Sequence, residues 1–245
     1  MPKIDFNHSC NIHTLKGPQA ALPVILEITR AKSLLDVGCG VGLWLKAAQA
    51  LDITDVFGVD GVAIPPEQLT IACALFRQQD LTRSWSLGRR FEAAICLEVA
   101  EHLDERSAVV LIAALTAHSD CVIFGAACPG QPGQHHVNCQ WPAYWQKLFN
   151  DHKYVCTDEV RWRIWDDERI EPWYRQNIFI ARRNPGHAGR EPRIPAAVHP
   201  AIYQLMDEAH FSKTMKEVAR GQLPWTWYLK IPLLGLARKL WRKPG

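Results

Sequence analysis

The stretch that decides the fold is Leu34-Leu-Asp-Val-Gly-Cys-Gly-Val-Gly42. A short apolar run, Ser33 to Val37, predicts a buried strand, and Leu43 to Leu51 is typical of a helix. The three glycines between them allow a tight turn and the close approach of a ligand to the backbone. Leu43 occupies the place of the last glycine in the dinucleotide fingerprint, and no G-K-[ST] ending follows. The turn therefore indicates a ligand other than a pyrophosphate.

Strands and helices alternate on both sides of this turn, which predicts an α/β fold with a mostly parallel sheet. Strands are predicted at Val56 to Asp60, Ile71 to Phe76, Phe91 to Leu97, Asp120 to Gly125, Tyr154 to Val160 and Asn177 to Arg182. Helices are predicted at Pro18 to Arg30, Ser107 to Ala117 and Trp141 to Phe149, and a Trp-rich connection precedes the last strand.

Length and composition limit the class of protein. The chain has 245 residues, of which 48% are hydrophobic and 22% are charged, as in globular proteins. The eight cysteines include no C-x-x-C, which favours a reducing cytoplasmic location over a disulfide framework. We expect no signal peptide and no membrane-spanning helix, because no apolar leader and no apolar run of 18 residues is present.

Charge and composition divide the chain into three parts. Residues 1–180 carry 16 Lys and Arg against 21 Asp and Glu, whereas residues 181–245 carry 12 against 4. We predict a catalytic domain over residues 1–183, a linker rich in Pro, Gly and Arg over 184–200, and a basic helical extension over 201–245. In the extension, Leu233 to Trp241 matches an amphipathic helix. A basic tail suggests an anionic partner.

Acidic residues follow the predicted strands. In a doubly wound sheet, ligands bind beyond the carboxyl ends of the strands. Asp60 ends the second strand, where its carboxylate can accept both hydroxyl protons of a ribose. Asp80 follows the third strand and can accept a hydrogen bond from an amino group such as adenine N6. Asp36 either holds the glycine turn or meets a positively charged group of the ligand.

Taken together, these motifs resemble those of class I S-adenosylmethionine-dependent methyltransferases. The resemblance covers about residues 18–183 and rests on Leu34 to Gly42, Gly58-Val-Asp60, Asp80-Leu81 and Phe91 to Leu103. It implies a Rossmann-like sheet of seven strands, the last one antiparallel and inserted beside the fifth. It also implies S-adenosylmethionine as the cofactor. The implied cofactor-binding residues are Asp36, Gly38, Gly40, Gly42, Asp60, Asp80, Leu81 and Glu98, with the glycines near the methionine part and Leu81 beside the adenine.

The segment Glu98-Val-Ala-Glu101-His102 is the first candidate for catalysis. Positions i, i+3 and i+4 share one face of a helix, and His102 is a candidate general base or a packing residue. The E-x-x-E-H pattern is also similar to the metal-binding segment of small-RNA 2′-O-methyltransferases and quinone-pathway O-methyltransferases. Mg²⁺ or Mn²⁺ would suit these ligands, with His135 or His136 as a fourth. Two acids at a helix N-terminus are equally typical without a metal, and we assign none.

The loop from Gly130 to Asn138 is the second candidate. It follows the fifth strand, so His136 and Asn138 are expected to face the methyl acceptor, and Tyr144 or Trp145 to form an apolar wall. Together with Trp173 to Asn177, this loop resembles small methyltransferases of sugar and polysaccharide pathways. We assign His102, Glu98 and His136 as catalytic residues.

These features predict a methyltransferase that acts on a small acceptor, namely a hydroxyl of a sugar-like or lipid-linked metabolite. One alternative is a metal-assisted RNA 2′-O-methyltransferase, but nucleic acid is disfavoured because the predicted catalytic body is acidic. Another is a non-catalytic binding protein of the same fold, which would be expected to have a damaged glycine turn. The location is predicted as cytoplasmic, with peripheral contact to the inner face of the membrane through residues 223–245.

Overall fold

The computed structural model describes residues 14–220 together with residues 222, 225 and 226. The described residues up to Ile202 form one compact unit, and those from Tyr203 onward belong to a second. The helix α7, Pro200–Ala219, begins at the end of the first unit and contains most of the residues that the structure describes in the second.

A seven-stranded sheet forms the centre of the first unit, in the order β3-β2-β1-β4-β5-β7-β6. Strands β1 to β5 pair in parallel, and β7 lies antiparallel between β5 and β6. The predicted fold class and the inserted antiparallel strand are therefore confirmed. The strands are β1 Ser33–Val37, β2 Asp55–Asp60, β3 Phe76–Gln78, β4 Ala93–Leu97, β5 Cys121–Gly125, β6 Tyr154–Thr157 and β7 Phe179–Arg183.

Helices cover both faces of this sheet and so bury its central strands on both sides. Every residue of β1 and β4 is buried, as expected for parallel strands between two helical layers. Phe124 of β5 is packed among Trp145, Phe149 and Phe179 in the core on one face. The helices of this unit are α1 Lys16–Thr29, α2 Leu43–Gln49, α3 Glu105–His118, α4 Pro142–Asp151, α5 Glu159–Ile164 and α6 Pro172–Asn177.

The strand order reverses between β1 and β4, which places a crevice at their carboxyl ends. β1 pairs with β2 on one side and with β4 on the other, with Asp36 in register with Ile95. Ligands bind at such a switch point in open α/β sheets. The residues that follow β1, β4 and β5 all reach this crevice.

Two predicted strands differ from the structure. The third is β3, Phe76–Gln78, and it follows a short 3₁₀ turn at Cys73–Leu75, because Ile71 packs into the core instead of pairing in the sheet. The sixth strand ends at Thr157, and α5 and α6 occupy much of the Trp-rich connection, in which no helix was predicted. Pro172 at the first turn of α6 was a readable helix-start signal.

The predicted linker, residues 184–200, is part of the first unit. Ile194 and His199 are buried, and their backbone amides donate to Gln146 Oε1 at 2.8 Å and to Gln176 Oε1 at 2.7 Å. Its Pro, Gly and Arg content thus marks an irregular segment that is packed on the domain. The predicted helix Leu233 to Trp241 lies outside the described residues. No helix in the described part of the chain is long and apolar enough to cross a membrane.

Candidate functional site

The glycine turn follows β1 and brings the backbone to the floor of the crevice. Gly38 and Gly42 have φ of +79° and +87°, a region that glycine enters without steric cost. A methyl group on Gly38 would also overlap the side chain of Val99, in the segment after β4. The turn is therefore built for glycine both by its backbone conformation and by its packing.

Asp60, at the end of β2, holds this turn in place. Its Oδ2 accepts a hydrogen bond from the amide of Gly40 at 2.8 Å, and its Oδ1 accepts one from the amide of Val62 at 2.8 Å. The side chain is buried. Each carboxylate oxygen can accept a further hydrogen bond, so the geometry is compatible with the predicted contact to ribose hydroxyls.

Asp80 and Leu81 lie apart from the main cavity. Asp80 Oδ1 accepts hydrogen bonds from the amide of Thr82 at 2.9 Å and its hydroxyl at 2.6 Å, and these bonds lower the pKa of Asp80. Its side chain is half exposed and lies 3.3 Å from Arg83. Leu81 is buried in the core. The adenine-binding role assigned to both residues stays a prediction.

A cavity opens where β1 and β4 end, and it brings together six of the predicted site residues: Asp36, Gly38, Gly40, Glu98, His102 and His136. Gly42, Asp60, Asp80 and Leu81 are not among its lining residues. Three segments contribute to its lining: the glycine turn, the segment 98–102 and the loop 131–136.

Glu98 anchors the segment that follows β4. It follows β4 in a left-handed conformation with φ of +56°, and its amide donates to the Gly125 carbonyl at 2.8 Å. Its carboxylate accepts hydrogen bonds from Gln131 Nε2 at 2.6 Å and from Asn177 Nδ2 at 2.9 Å. Burial raises the pKa of Glu98 to about 7, although the hydrogen bonds from Asn177 and Gln131 lower it.

The expectation that Glu98, Glu101 and His102 share one helix face is wrong for Glu98. Only Ala100–His102 is helical, as a single 3₁₀ turn, and Glu98 precedes it in the bend. The side chains nevertheless converge, because all three line the cavity.

Glu101 is fully buried, and neither carboxylate oxygen has a hydrogen-bond partner among the described residues. Burial and then the charge of Glu98 raise its pKa well above the usual value, against the influence of the nearby amides of Glu101 and Ala127. A buried carboxylate without hydrogen bonds is costly, so this group requires a proton or a positively charged ligand.

His102 and His136 face each other beside these carboxylates. Their ring centroids are 5.1 Å apart in an edge-to-face arrangement. Burial and then His136 lower the pKa of His102 to about 4, and burial lowers the pKa of His136 as well. Both imidazoles are therefore neutral at pH 7, the form that accepts a proton or binds a metal.

The cavity is lined by acidic groups and not by basic ones in the part of the chain that the structure describes. Four carboxyl groups line it, from Asp36, Glu98, Glu101 and Glu171, and its described lining includes no Lys or Arg. Asp36 Oδ2 is buried and has no hydrogen-bond partner in the part of the chain that the structure describes, and burial followed by the charge of Asp60 raises the pKa of Asp36 to about 8. Such a cavity suits uncharged and cationic ligands.

The aromatic wall comes from other residues than Tyr144 and Trp145. Trp44, Trp173 and Tyr174 line the cavity, and Trp44 meets Tyr174 edge-to-face with centroids 5.3 Å apart. Trp145 is 1% exposed and belongs to the core, which corrects the prediction. Tyr144 packs against that core as well.

Asn138 was predicted to contact the acceptor, but it is buried and does not line the cavity. Its amide donates to the Glu101 carbonyl at 3.0 Å, and its Oδ1 accepts a hydrogen bond from Gln140 Nε2 at 3.1 Å. Sequence reasoning also missed Trp44, Gln131 and Glu171 in the lining. Gln131 stands inside the loop already singled out, so its amide was a readable signal.

Comparison with known proteins supports the fold that the motifs implied. Residues 15–122 match the family model described as a methyltransferase domain, so this part of the chain is similar to that family. The fold of the chain is that of S-adenosylmethionine-dependent methyltransferases, as the resemblance of the glycine turn and the later motifs implied. No curated protein gives a significant sequence match.

Solved structures of this fold agree. The methyltransferase domain of bacterial CtHen1-C is 18% identical with a TM-score of 0.52, and the match covers 70% of this chain and 100% of that one. The sugar N-methyltransferase KedS8 from Streptoalloteichus sp. ATCC 53650 is 17% identical with a TM-score of 0.53, covering 70% and 88%. CalS10, an amino pentose methyltransferase from Micromonospora echinaspora, is 16% identical with a TM-score of 0.52, covering 71% and 93%.

Proposed function

We propose that this methyltransferase transfers a methyl group from S-adenosylmethionine to a hydroxyl of a small, sugar-like acceptor that carries no phosphate. The observation that carries the proposal is the cavity, in which two neutral histidines, carboxylates and an aromatic wall lie beside the glycine turn. Two neighbours of similar fold are described as sugar methyltransferases, which agrees with the substrate class.

The cavity fits the cofactor chemically. The buried Asp36 Oδ2 has no partner among residues 14–220 and would accept a hydrogen bond from the ammonium group of S-adenosylmethionine. Gly38 and Gly40 leave room for its methionine part, and Asp60 would bind the ribose. When bound, the cofactor supplies an electrophilic methyl group on a sulfonium, whose positive charge matches the acidic lining.

Methyl transfer requires residues of the chain to align the acceptor hydroxyl and to remove its proton. His102 and His136 are neutral and line the cavity, where either imidazole can accept the proton. The ring faces of Trp173 and Tyr174 suit the apolar face of a sugar ring.

The acidic lining argues against an RNA acceptor. Phosphate recognition relies on Lys and Arg, and the described lining of this cavity has neither. A neutral or amino sugar does not need these Lys and Arg contacts.

The test is a methyl-transfer assay with a panel of neutral, amino and phosphorylated sugars, read by the mass of the product. We expect methylation of a neutral or amino sugar, and a fall of at least about tenfold in kcat/KM for His102→Ala and His136→Ala, since general-base catalysis contributes about 10²–10⁴-fold. The exposed neighbour variant His135→Ala is the control. Methylation of phosphorylated sugars or RNA alone would contradict the proposal.

The cytoplasmic location and the peripheral contact with an anionic membrane face are also part of the proposal. Lys230, Arg238, Lys239, Arg242 and Lys243 support it, as does the apolar pattern of Leu233 to Trp241. A lipid-linked acceptor would then meet the enzyme at the membrane surface.

A further inference from the structure

We infer that Glu171 and the aromatic side chains beside it bind a protonated amino group of the acceptor, so that the substrate is an amino sugar and not a neutral one. The inference rests on the proposed function in taking the acceptor to be a sugar-like molecule bound in this cavity. Cofactor binding and proton removal, as proposed, both leave Glu171 without a role.

The carboxylate of Glu171 has one oxygen without a partner. Oε1 accepts a hydrogen bond from the hydroxyl of Thr14 at 2.8 Å, whereas Oε2 is buried and has no hydrogen-bond partner among the described residues. The side chain lines the cavity, to which the described part of the chain contributes no Lys or Arg. Buried polar atoms normally have a partner, so Oε2 indicates a ligand that donates a hydrogen bond from inside the cavity.

The position of this carboxylate is set by the start of α1. Glu171 directly precedes α6, and its carboxylate packs against Gly17 in the first turn of α1. A methyl group on Gly17 would overlap Glu171 Oε2, so the carboxylate would have to move. Its present position in the cavity wall therefore depends on glycine at residue 17.

Aromatic side chains line the same cavity beside Glu171. Trp173 and Tyr174 belong to α6, and Trp44 meets Tyr174 edge-to-face with centroids 5.3 Å apart. The ring faces of Trp and Tyr attract cations, and a hydrogen bond between an ammonium group and a carboxylate is stronger than one from a neutral hydroxyl. A carboxylate and three aromatic rings in one cavity therefore suit an ammonium group that is attached to an apolar ring.

The other three carboxyl groups of the cavity are less suited to this ligand. Asp36 is the proposed partner of the ammonium group of the cofactor. Glu98 already accepts two hydrogen bonds from amide side chains. Glu101 is completely buried, and burial followed by the charge of Glu98 raises its pKa well above the usual value, so that it can keep a proton. Glu171 remains as the partner for a charge on the acceptor.

An ammonium group bound in this way also determines which atom is methylated. It has no lone pair, so it cannot accept a methyl group. Binding at Glu171 would direct the transfer to a hydroxyl, whose proton His102 or His136 accepts. The expected product is therefore an amino sugar that is methylated on oxygen and not on nitrogen.

The experiment compares two probes with the same ring, cyclohexylammonium and cyclohexanol, by titration of the full-length protein at pH 7 while tryptophan fluorescence is followed. The demethylated product of the cofactor is present, so that its ammonium group occupies its own site. We expect cyclohexylammonium to bind at least about tenfold more tightly than cyclohexanol, because a charged hydrogen bond is the stronger one. Glu171→Gln should bring this ratio close to one, whereas Glu168→Gln, at an exposed position nearby in the sequence, should leave it unchanged.

Gly17→Ala tests the position of the carboxylate without removing its charge. The new methyl group would displace Glu171 Oε2, whereas alanine itself is favourable in a helix and should not prevent folding. We expect the ratio of the two affinities to fall at least about threefold, because the displaced carboxylate loses part of a charged hydrogen bond.

The affinity of the same samples for the demethylated cofactor separates this inference from the proposed function. Equal affinities of the wild type for the two probes, or an unchanged ratio in Glu171→Gln, would overturn the inference and leave the proposed function standing. Methylation of neutral sugars alone in the acceptor panel would do the same. The inference would also be overturned if Glu171→Gln weakened binding of the demethylated cofactor as much as that of cyclohexylammonium, because Glu171 would then belong to the cofactor site. Failure of the wild type to bind the demethylated cofactor would contradict the proposed function instead.

Discussion

The carboxyl group of Asp36 is buried in the ligand-free protein. Its burial makes the free energy of unfolding depend on pH. Burial raises the pKa of Asp36 to about 8, from an ordinary value of 3.8. The folded state therefore binds more protons than the unfolded state between these values, and its stability decreases as pH rises from about 4 to about 8.

Asp36→Asn should remove this dependence in the cofactor-free protein. The stability of the variant relative to wild type should rise with pH over that window, by up to about 1.4 kcal/mol per pH unit, and level off above about pH 8. Urea unfolding at pH 5, 6, 7 and 8 measures the difference. The exposed substitution Glu67→Gln is the control, and a constant Asp36→Asn difference across the window would argue against a protonated, buried Asp36.

The predicted catalytic residues show how much of the site can be predicted from the sequence. Glu98, His102 and His136 were predicted because they follow β4 and β5, and all three line the cavity. The left-handed bend at Glu98 was not predictable, because it depends on a backbone contact with Gly125. The wall residues Trp44 and Tyr174 come from separate helices, and only the folded chain shows that they meet.

Among the elements of the fold, the glycine turn that follows β1 packs against the segment after β4. Gly38→Ala should destabilise the fold in two ways: its φ is +79°, and the new methyl group would overlap Val99. The first effect costs about 1–2 kcal/mol and overpacking about 1–3 kcal/mol more. Thermal unfolding measures the sum.

Gly88→Ala is the matched control, because Gly88 has φ of +70° and open space around it. It should show only the smaller, conformational loss. Adding Val99→Ala to Gly38→Ala should recover part of the difference. Equal losses for Gly38→Ala and Gly88→Ala would mean that the contact with Val99 does not position the turn.

Strands were predicted correctly where an apolar run of the sequence is also buried in the sheet. The buried runs of β1, β4 and β5 were read correctly within two residues. Ile71 was misread because its apolar side chain packs in the core beside Gly42, not in the sheet, and an apolar run alone does not separate the two cases. Short helices such as α5 and α6 depend on packing more than on propensity.

At the scale of the whole molecule, the chain separates an acidic catalytic unit from a basic tail. Removal of residues 223–245 should abolish binding to anionic vesicles and leave cofactor binding intact. Five basic residues, each contributing about 1 kcal/mol near an anionic surface, give reversible attachment together with the apolar residues. Vesicle sedimentation at low and high salt measures it, and binding should weaken with salt without disappearing. Equal sedimentation of full-length and shortened chains would place the contact elsewhere.

Calorimetric titration of the full-length protein shows whether the crevice between β1 and β4 binds S-adenosylmethionine. We predict one site per chain with a dissociation constant below about 1 mM for S-adenosylmethionine and for its demethylated product. Asp60→Ala should weaken binding at least tenfold, because Asp60 holds Gly40 and is the proposed ligand of the ribose, and a charged hydrogen bond contributes about 1.5–3 kcal/mol. No measurable binding by the folded wild type would show that this crevice is not a cofactor site, and the same affinity in Asp60→Ala would remove Asp60 from it.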